Sequence, residues 1–290
     1  MSLYSYKIFF EVSNSGSFVK TAEKMNLSPS AISHMIKGLE KEFGFSLFIR
    51  NRSGAVLTEN GERLLPYISS LVTAEENIRQ EVNRINDRDS GTVRIGLFGS
   101  VASNWFVKIL KSFSKKHPDV DVVIYQGSYK EVIKWLEQKT VDIAFTTDRL
   151  TENMNFMPLR EDPLICIAPP DYVPKNRFIV TLDDLRNNDI IINRECHAYD
   201  AKGFLSGHGV QVSTFYDKIE HPTLFAMVKE GMGLCIVPEL VGLSAPPSLK
   251  KYCIEGDPKR IIGLSFSDSK MISPLAQLLR DEIVAYLTSV

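Results

Sequence analysis

A set of hydroxyl, imidazole and basic side chains between residues 17 and 52 could form hydrogen bonds with duplex DNA. Hydroxyl and imidazole groups can contact base edges, whereas lysine and arginine side chains can contact phosphate oxygens. The candidate DNA-binding residues are Ser17, Ser28, Ser30, Ser33, His34, Lys37, Arg50 and Arg52. Such contacts require a rigid element that fits a DNA groove, so the elements around these residues decide the interpretation.

The surrounding sequence predicts two short amphipathic helices, a tight turn and a small hairpin. Ser17 and Ser28 stand where helix N-caps belong, and Pro29 follows at the first helical position, where its missing N–H costs nothing. Asn26 tolerates the left-handed backbone of a turn, and Gly44 suits the end of the second helix. One face of each helix is apolar: Phe18, Ala22 and Met25 on the first, and Ile32, Ile36 and Leu39 on the second. This layout predicts a winged helix-turn-helix whose second helix enters the major groove.

The charge distribution supports DNA binding. Residues 1–58 contain seven Lys or Arg against four Glu, a net charge of +3, whereas the whole chain has a net charge of −1. Positive charge is therefore concentrated at the end that is predicted to meet phosphates. The alternative is a small helical domain that does not bind DNA, because helix-turn-helix shapes also occur in such proteins.

The segment from Glu59 to about Arg88 predicts one long helix. Apolar residues recur there at alternating spacings of four and three, as on a coiled-coil seam with one polar member. The predicted seam consists of Leu64, Ile68, Leu71, Glu75, Ile78, Val82 and Ile85. A narrow apolar stripe between two domains favours a dimerisation helix over an amphipathic helix packed on its own chain. Paired heads would also match DNA operators with two half-sites.

The remaining two-thirds of the chain predicts alternating strands and helices. Strands at 92–98, 120–125 and 142–146 alternate with helices at 105–116 and 129–138, an order that implies a parallel sheet. A second unit from Pro163 has predicted strands at 164–168, 190–193, 210–215, 234–237 and 251–254, and predicted helices at 182–186, 198–205 and 223–230. A strand at 261–265 and a helix at 274–287 end the chain. We interpret the glycines at 231 and 233 as a structural helix-to-strand corner.

Taken together, these segments resemble the LysR-type transcriptional regulator family over the full length of the chain. The residues that carry the resemblance are Phe9, Val12, Ser17–Phe18, Ala22, Leu27–Ser33, Leu39–Glu40, Gly44, Leu47–Phe48, Arg50, Leu57–Thr58 and Gly61. His34, Met35 and Gly38 depart from the residues that are frequent at their positions, which concerns base preference rather than DNA binding. The resemblance implies a DNA-binding regulator, not an enzyme, whose linker helices pair and whose dimers often join into tetramers.

The resemblance also implies a C-terminal effector-binding domain of two α/β subdomains, similar to periplasmic solute-binding proteins. We therefore predict a mixed α/β protein with a winged helix-turn-helix domain at 1–58, a linker helix and hinge at 59–90, and an effector-binding domain at 91–290. The first subdomain is expected at 91–161 and 267–290, and the second at 162–266.

Hydroxyl-rich segments follow several of the predicted strands. Ligands of open α/β sheets bind beyond the carboxyl ends of the strands, and the family resemblance implies that these segments line the effector pocket. The candidate effector-binding residues are Ser100, Ser128, Thr146, Thr147, Cys196 and His197. Small hydroxyl residues at helix starts favour a carboxylate or another small anion as the effector.

Other function classes have less support. One alternative is a redox-sensing regulator of the same family that uses Cys196, although no second cysteine follows at about a helix length. A solute-binding module without DNA binding is disfavoured because the N-terminus lacks an export signal. We find no GxSxG, HExxH or phosphate-loop motif and no metal-type cysteine spacing, so we predict neither an enzyme nor a cofactor or metal.

The same features define the expected location and partners. No apolar run is long enough to span a bilayer, so we expect a cytoplasmic protein that does not bind membranes. Its expected partners are double-stranded DNA, a small-molecule effector and further copies of the chain as a homodimer or homotetramer. RNA polymerase is a further candidate partner.

Overall fold

The structure, a computed structural model, describes residues 2–51, 54–86, 89–150, 155–193, 198–216, 219–266 and 272–289. Within these ranges the chain forms a helical head with a small hairpin, a long connecting helix, and a large α/β unit built on one continuous sheet. No helix in these ranges is long and apolar enough to cross a membrane.

The head consists of three helices and a two-stranded hairpin. The helices are α1 (Leu3–Ser15), α2 (Phe18–Lys24) and α3 (Pro29–Phe43), and the strands are β1 (Phe48–Asn51) and β2 (Gly54–Leu57). The turn between α2 and α3 contains Asn26 at φ 54°, and α3 ends at Gly44 at φ 80°, as the sequence predicted. Apolar residues from all these elements form one core, which includes Phe9, Ala22, Ile32, Ile36, Leu39, Leu47 and Phe48.

A single helix, α4 (Glu59–Ile85), connects the head to the α/β unit, as predicted. Thr58 caps it by accepting a hydrogen bond from the backbone N–H of Gly61. The predicted apolar seam divides into two parts. Ile68 is buried in the core of the head, whereas Ile78 and Ile85 are 65% and 73% exposed. Packing on its own chain therefore accounts for only the first part of the seam.

The α/β unit contains nine strands in its described residues: β3 (Gly91–Leu97), β4 (Val120–Gln126), β5 (Ile143–Thr147), β6 (Phe156–Ala168), β7 (Ile190–Asn193), β8 (Thr214–Tyr216), β9 (Leu234–Pro238), β10 (Lys250–Cys253) and β11 (Lys259–Phe266). The sheet order is β4-β3-β5-β11-β6-β9-β7-β8, and β10 also pairs with β6. Strands β3, β4 and β5 are parallel, as the βαβαβ pattern predicted.

Helices pack on the sheet, and their apolar residues complete its hydrophobic cores. They are α5 (Gly99–Val101), α6 (Val107–Lys116), α7 (Tyr129–Glu137), α8 (Leu182–Arg186), α9 (Ala198–Gly207), α10 (His221–Lys229), α11 (Glu239–Gly242) and α12 (Pro274–Ser289). The turn between α10 and β9 is structural, as interpreted: Gly231 has φ 76°, and a Cβ on Gly233 would lie 2.6 Å from the Asp189 carbonyl oxygen.

Strand β6 joins the two halves of the sheet. Its first part pairs with β11, and its second part pairs with β9 and β10. The sequence predicted a strand only at 164–168, so the first part was missed. Pro158 and Pro163 obscure the strand pattern there, and the pairing with β11 is irregular between Ile262 and Gly263, as at a β-bulge.

Two other predicted elements differ from the structure. The helix predicted at 105–116 begins at Gly99, and α5 continues through a π-helical stretch at Ala102–Phe106 into α6. Asn104 supports this early start by donating a hydrogen bond to the Ser100 carbonyl. The strand predicted at 210–215 is shorter, because Ser213 instead exchanges hydrogen bonds with the backbone of Ile190 before β8 begins.

Candidate DNA-binding surface and effector cleft

Polar residues of α3 form one face on the surface of the head. Ser30, His34 and Lys37 are exposed at spacings of four and three, and Ser33 is half-buried beside them. Opposite this face, Ile32, Ile36 and Leu39 are buried in the head core. The structure therefore brings four of the predicted DNA-binding residues together on a helix that is fixed from behind.

Arg50 ties the hairpin to this face. Its Nη1 donates a 2.9 Å hydrogen bond to the Ser33 hydroxyl oxygen, and its guanidinium carbon lies 4.1 Å from the centroid of the Phe18 ring. The arginine thus joins β1, α3 and α2 at one point. The other predicted basic residue of the hairpin, Arg52, lies outside the described residues.

Ser17 and Ser28 cap the two helices, as predicted. The Ser17 hydroxyl accepts from the backbone N–H of Lys20 at 3.3 Å, and that of Ser28 accepts from the N–H of Ala31 at 3.1 Å. Ser28 and Ser30 also share a hydrogen bond between their hydroxyl oxygens, which lie 2.9 Å apart. A capping serine still has one proton to donate, so these residues can combine helix capping with a phosphate contact.

Glu40 positions the hairpin, a role that the sequence reasoning did not identify. Its Oε1 accepts hydrogen bonds from the backbone N–H groups of Leu47 at 2.8 Å and Phe48 at 3.3 Å. A glutamate in the penultimate turn of a helix usually faces solvent, so its residue type carried no signal for this contact. The carboxylate fixes the path of the chain from α3 into β1.

The connecting helix contacts both the head and the α/β unit through adjacent glutamates. Lys7 pairs with Glu75 at 2.7 Å, and Arg94 pairs with both oxygens of Glu76 at 2.7 and 3.0 Å. The hydrogen bond from Lys7 lowers the pKa of Glu75 from its usual value. Asp142 accepts a 2.7 Å hydrogen bond from the backbone N–H of Arg94. Burial of this carboxyl raises its pKa to about 6.

A small cavity lies at the carboxyl ends of β3 and β4. Its volume is about 30 Å³, and both halves of the α/β unit line it. The lining residues are Phe98, Gly99, Ser100, Gly127, Ser128, Tyr129, His221 and Val241. Burial, with the nearby Arg260 guanidinium, lowers the pKa of His221, so its imidazole is neutral at pH 7. The lining therefore offers hydroxyl, imidazole and helix-start groups to a small ligand.

The predicted effector residues do not all reach this cavity. Ser100 and Ser128 line it, but the Ser128 hydroxyl donates to Glu131 at 2.7 Å within a capping box. Thr146 and Thr147 are buried in β5, and Thr146 shares a 2.7 Å hydrogen bond with Ser265. Cys196 and His197 lie outside the described residues.

A buried ion pair behind the cavity was missed from the sequence. Arg260 on β11 is 1% exposed, and its Nε and Nη2 donate to Oδ2 of Asp162 on β6 at 2.9 and 2.6 Å. The two residues are directly opposed in the antiparallel pairing of these strands. The available signal was the charged residue Arg260 next to the predicted apolar strand at 261–265. Its partner Asp162 lies in the first part of β6, which was not predicted.

Two family models together match most of the chain. The model described as "Bacterial regulatory helix-turn-helix protein, lysR family" matches residues 3–62, and the model described as "LysR substrate binding domain" matches residues 86–288. The uncharacterized HTH-type transcriptional regulator YvbU of Bacillus subtilis is 26% identical over 281 residues, with 96% of each chain covered.

Solved structures share the fold. A full-length OxyR variant from Pseudomonas aeruginosa aligns with a TM-score of 0.79 at 18% identity and covers 98% of this chain and 94% of its own. Full-length CbnR in complex with its target DNA aligns with a TM-score of 0.57 at 18% identity, covering 99% of this chain and all of its own.

The head with its exposed helix face, the long connecting helix and the two-part α/β unit occur here in the order of the two matched models. The chain belongs to the LysR family of DNA-binding transcriptional regulators and carries that family's effector-binding domain.

Proposed function

We propose that this regulator binds a small anion, most simply a carboxylate, in the cavity between the two halves of its effector-binding domain. The contacts to DNA are proposed to come from the face of α3 and from the hairpin, with the α3 residues reading base edges and Lys37 and the hairpin arginines contacting phosphates. We keep the boundaries 1–58, 59–90 and 91–290 for the head, linker and effector-binding domain as part of this proposal.

One observation carries the choice of an anion. The Ser100 hydroxyl lines the cavity at the start of an extended helix, where the first backbone N–H groups have no intrahelical acceptor. Hydrogen-bond donors at a helix start favour a negatively charged ligand. The neutral His221 on the opposite wall can add a further hydrogen bond without adding charge.

The exposed part of the α4 seam supports dimer formation. Leu71, Ile78, Val82 and Ile85 are between 46% and 73% exposed and lie at successive spacings of seven, four and three. An apolar stripe of this kind is typical of a helix that pairs with a second copy. A dimer would place two α3 helices on one operator, and we propose this assembly, with the tetramer as its extension.

The proposed regulation is a shift between two arrangements. A ligand that binds one arrangement of the two halves more tightly than the other changes their populations, and α4 carries that change to the head through the pairs at Glu75 and Glu76. The coupling is reciprocal, so operator DNA should change the effector affinity by the same factor as the effector changes DNA affinity. Because the protein must reach chromosomal DNA, we expect it in the cytoplasm.

Calorimetric titration tests the anion proposal directly. The purified protein is titrated with a panel of organic acids, amino acids and inorganic anions, together with uncharged compounds of similar size. Binding of at least one anion, lost or weakened in Ser100→Ala, is the expected result. Binding of uncharged compounds alone would overturn the proposal.

Redox sensing through Cys196 is the second candidate, and it stays a prediction because that residue lies outside the described ranges. Among the described cysteines, burial raises the pKa of Cys166 and Cys235, so both are unreactive thiols at neutral pH. If oxidant changes DNA binding by the wild type but not by Cys196→Ser, this candidate replaces the anion as the signal.

A further inference from the structure

The Arg260 guanidinium contacts three cavity residues as well as its carboxylate partner. Besides the bonds to Asp162, its Nη2 donates to the Ser100 hydroxyl oxygen at 3.2 Å, and its Nη1 donates to the Tyr129 hydroxyl oxygen. The guanidinium carbon also lies 5.1 Å from the centroid of the Phe98 ring. One buried side chain therefore contacts three residues of the cavity wall.

The contact with Arg260 restricts the orientation of the Ser100 hydroxyl. An arginine side chain has only donors, so in this pair the serine oxygen must accept and its proton must point elsewhere. Ser100 lines the cavity, and the cavity is a place where that proton can be donated. Arg260 thus occupies one acceptor site of the Ser100 oxygen before any ligand enters, which favours donation of the hydroxyl proton to the cavity.

Asp162 holds the arginine in this orientation and connects it to the other half of the domain. Its Oδ2 receives both Nε and Nη2, while its Oδ1 accepts a 3.0 Å hydrogen bond from the backbone N–H of Leu240 in α11. The carboxylate also neutralises the guanidinium. Arg260 therefore contributes orientation to the cavity rather than net positive charge.

We propose that Arg260 is a positioning residue of the effector pocket, which orients the Ser100 hydroxyl as a hydrogen-bond donor to the cavity. A donor there favours a carboxylate over a carboxamide, because a charged oxygen accepts a stronger hydrogen bond than the neutral carbonyl oxygen of an amide. This inference rests on the proposed anion-binding function. A buried ion pair with a structural role alone would stabilise the domain but would not need the contact to Ser100, and it would leave ligand choice unchanged.

The test compares small acids with their amides. Formate, acetate, glycolate and lactate are titrated calorimetrically against formamide, acetamide, glycolamide and lactamide, and the ratio of acid affinity to amide affinity is measured for each pair. Losing a hydrogen bond to a charged group costs about 1.5–3 kcal/mol, so Arg260→Lys should lower this ratio by about tenfold or more. A lysine can still pair with Asp162, but its single nitrogen lacks the fork that reaches Ser100.

Two further variants keep the test decisive. Arg94→Lys alters a partly buried arginine–carboxylate pair away from the cavity and should leave the ratio unchanged. Ser100→Ala leaves the ion pair intact and should lower the ratio as much as Arg260→Lys. If Arg260→Lys does not fold, Ser100→Ala provides the test in its place. The double variant Arg260→Lys with Ser100→Ala should lower the ratio of acid to amide affinity no more than either single variant does.

The outcomes separate the two proposals. If the wild type prefers acids and both Arg260→Lys and Ser100→Ala keep that preference, the positioning role is wrong while anion binding stands. If the wild type binds amides only, or binds no member of the panel, the anion-binding proposal fails and the positioning role fails with it.

Discussion

The head and the effector cleft are built in opposite ways. In the head, Ser30, Ser33, His34 and Lys37 come from two turns of one helix, and a core from the first 72 residues supports them. In the cleft, Ser100, Asp162 and Arg260 come from segments that are 62 and 98 residues apart along the chain. A local surface can be altered residue by residue, whereas the cleft depends on pairs that only the complete fold brings together.

The largest expected effect comes from breaking the buried pair in the cleft. Asp162→Ala leaves Arg260 charged and without its carboxylate inside the domain, which should lower the free energy of unfolding by about 3–5 kcal/mol. Urea denaturation measures this change. If the cleft is as interdependent as its contacts indicate, the double variant Asp162→Leu with Arg260→Met should recover most of the loss.

An exposed ion pair of the same domain provides the control. Lys175 and Asp183 are each about 60% exposed, so Asp183→Asn should leave the unfolding transition unchanged. Equal effects of Asp162→Ala and Asp183→Asn would show that the buried network does not support the fold in the way described.

A smaller effect is expected from loosening the hairpin of the head. Glu40→Ala leaves two backbone N–H groups without their acceptor, so it should destabilise the head by about 1–3 kcal/mol and weaken DNA binding. Gel-shift titration and thermal unfolding measure the two effects. In the absence of DNA, calorimetric ligand binding in the cleft should not change, because Glu40 lies in the head. Glu23→Ala on the exposed surface of α2 is the matched control.

The pH dependence of stability should separate the two regions as well. Burial raises the pKa of Asp142 from 3.8 to about 6, so the folded state binds this proton more tightly than the unfolded state does. Protonation of Asp142 therefore stabilises the folded state fully below about pH 4. This contribution to the free energy of unfolding, roughly 1–3 kcal/mol, is lost as the pH rises to about 6.

Asp142→Asn should therefore reduce the fall in stability of the α/β unit between pH 4 and pH 6, while the unfolding of the head keeps its pH dependence. Denaturation at a series of pH values provides the measurement. An unchanged profile in the variant would mean that Asp142 ionises normally in the folded protein.

The smallest expected change concerns a single phosphate contact. Lys37→Ala should weaken binding to all DNA sequences and reduce the slope of log affinity against log salt by about 1. Fluorescence anisotropy at several salt concentrations measures the slope. Lys108→Ala changes an exposed lysine of α6 in the effector-binding domain and should leave the slope unaltered. A smaller slope in both variants would show that the effect is not specific to α3.

The same contrast explains which features the sequence could predict. Caps at Ser17, Ser28 and Gly44 and the apolar face of α3 follow from residues three or four positions apart, so α2 and α3 were predicted closely, whereas α1 was not predicted. The Asp162–Arg260 pair follows from a strand register across 98 residues, and the irregular, proline-containing part of β6 gave no local strand signal. Hydroxyl type alone also could not show that Ser128 completes a capping box, whereas Ser100 accepts a hydrogen bond from Arg260.

Selection of duplexes from a random DNA pool, with the stoichiometry of the bound protein measured at the same time, tests the account most directly. We predict enriched sequences with two half-sites separated by about 10 base pairs or a multiple of that spacing. Each enriched duplex should bind an even number of chains. Ser33→Ala and His34→Ala should show relaxed base preference. Monomeric binding without sequence enrichment, or the same enrichment in both variants, would contradict the assignment of α3 as the reading helix.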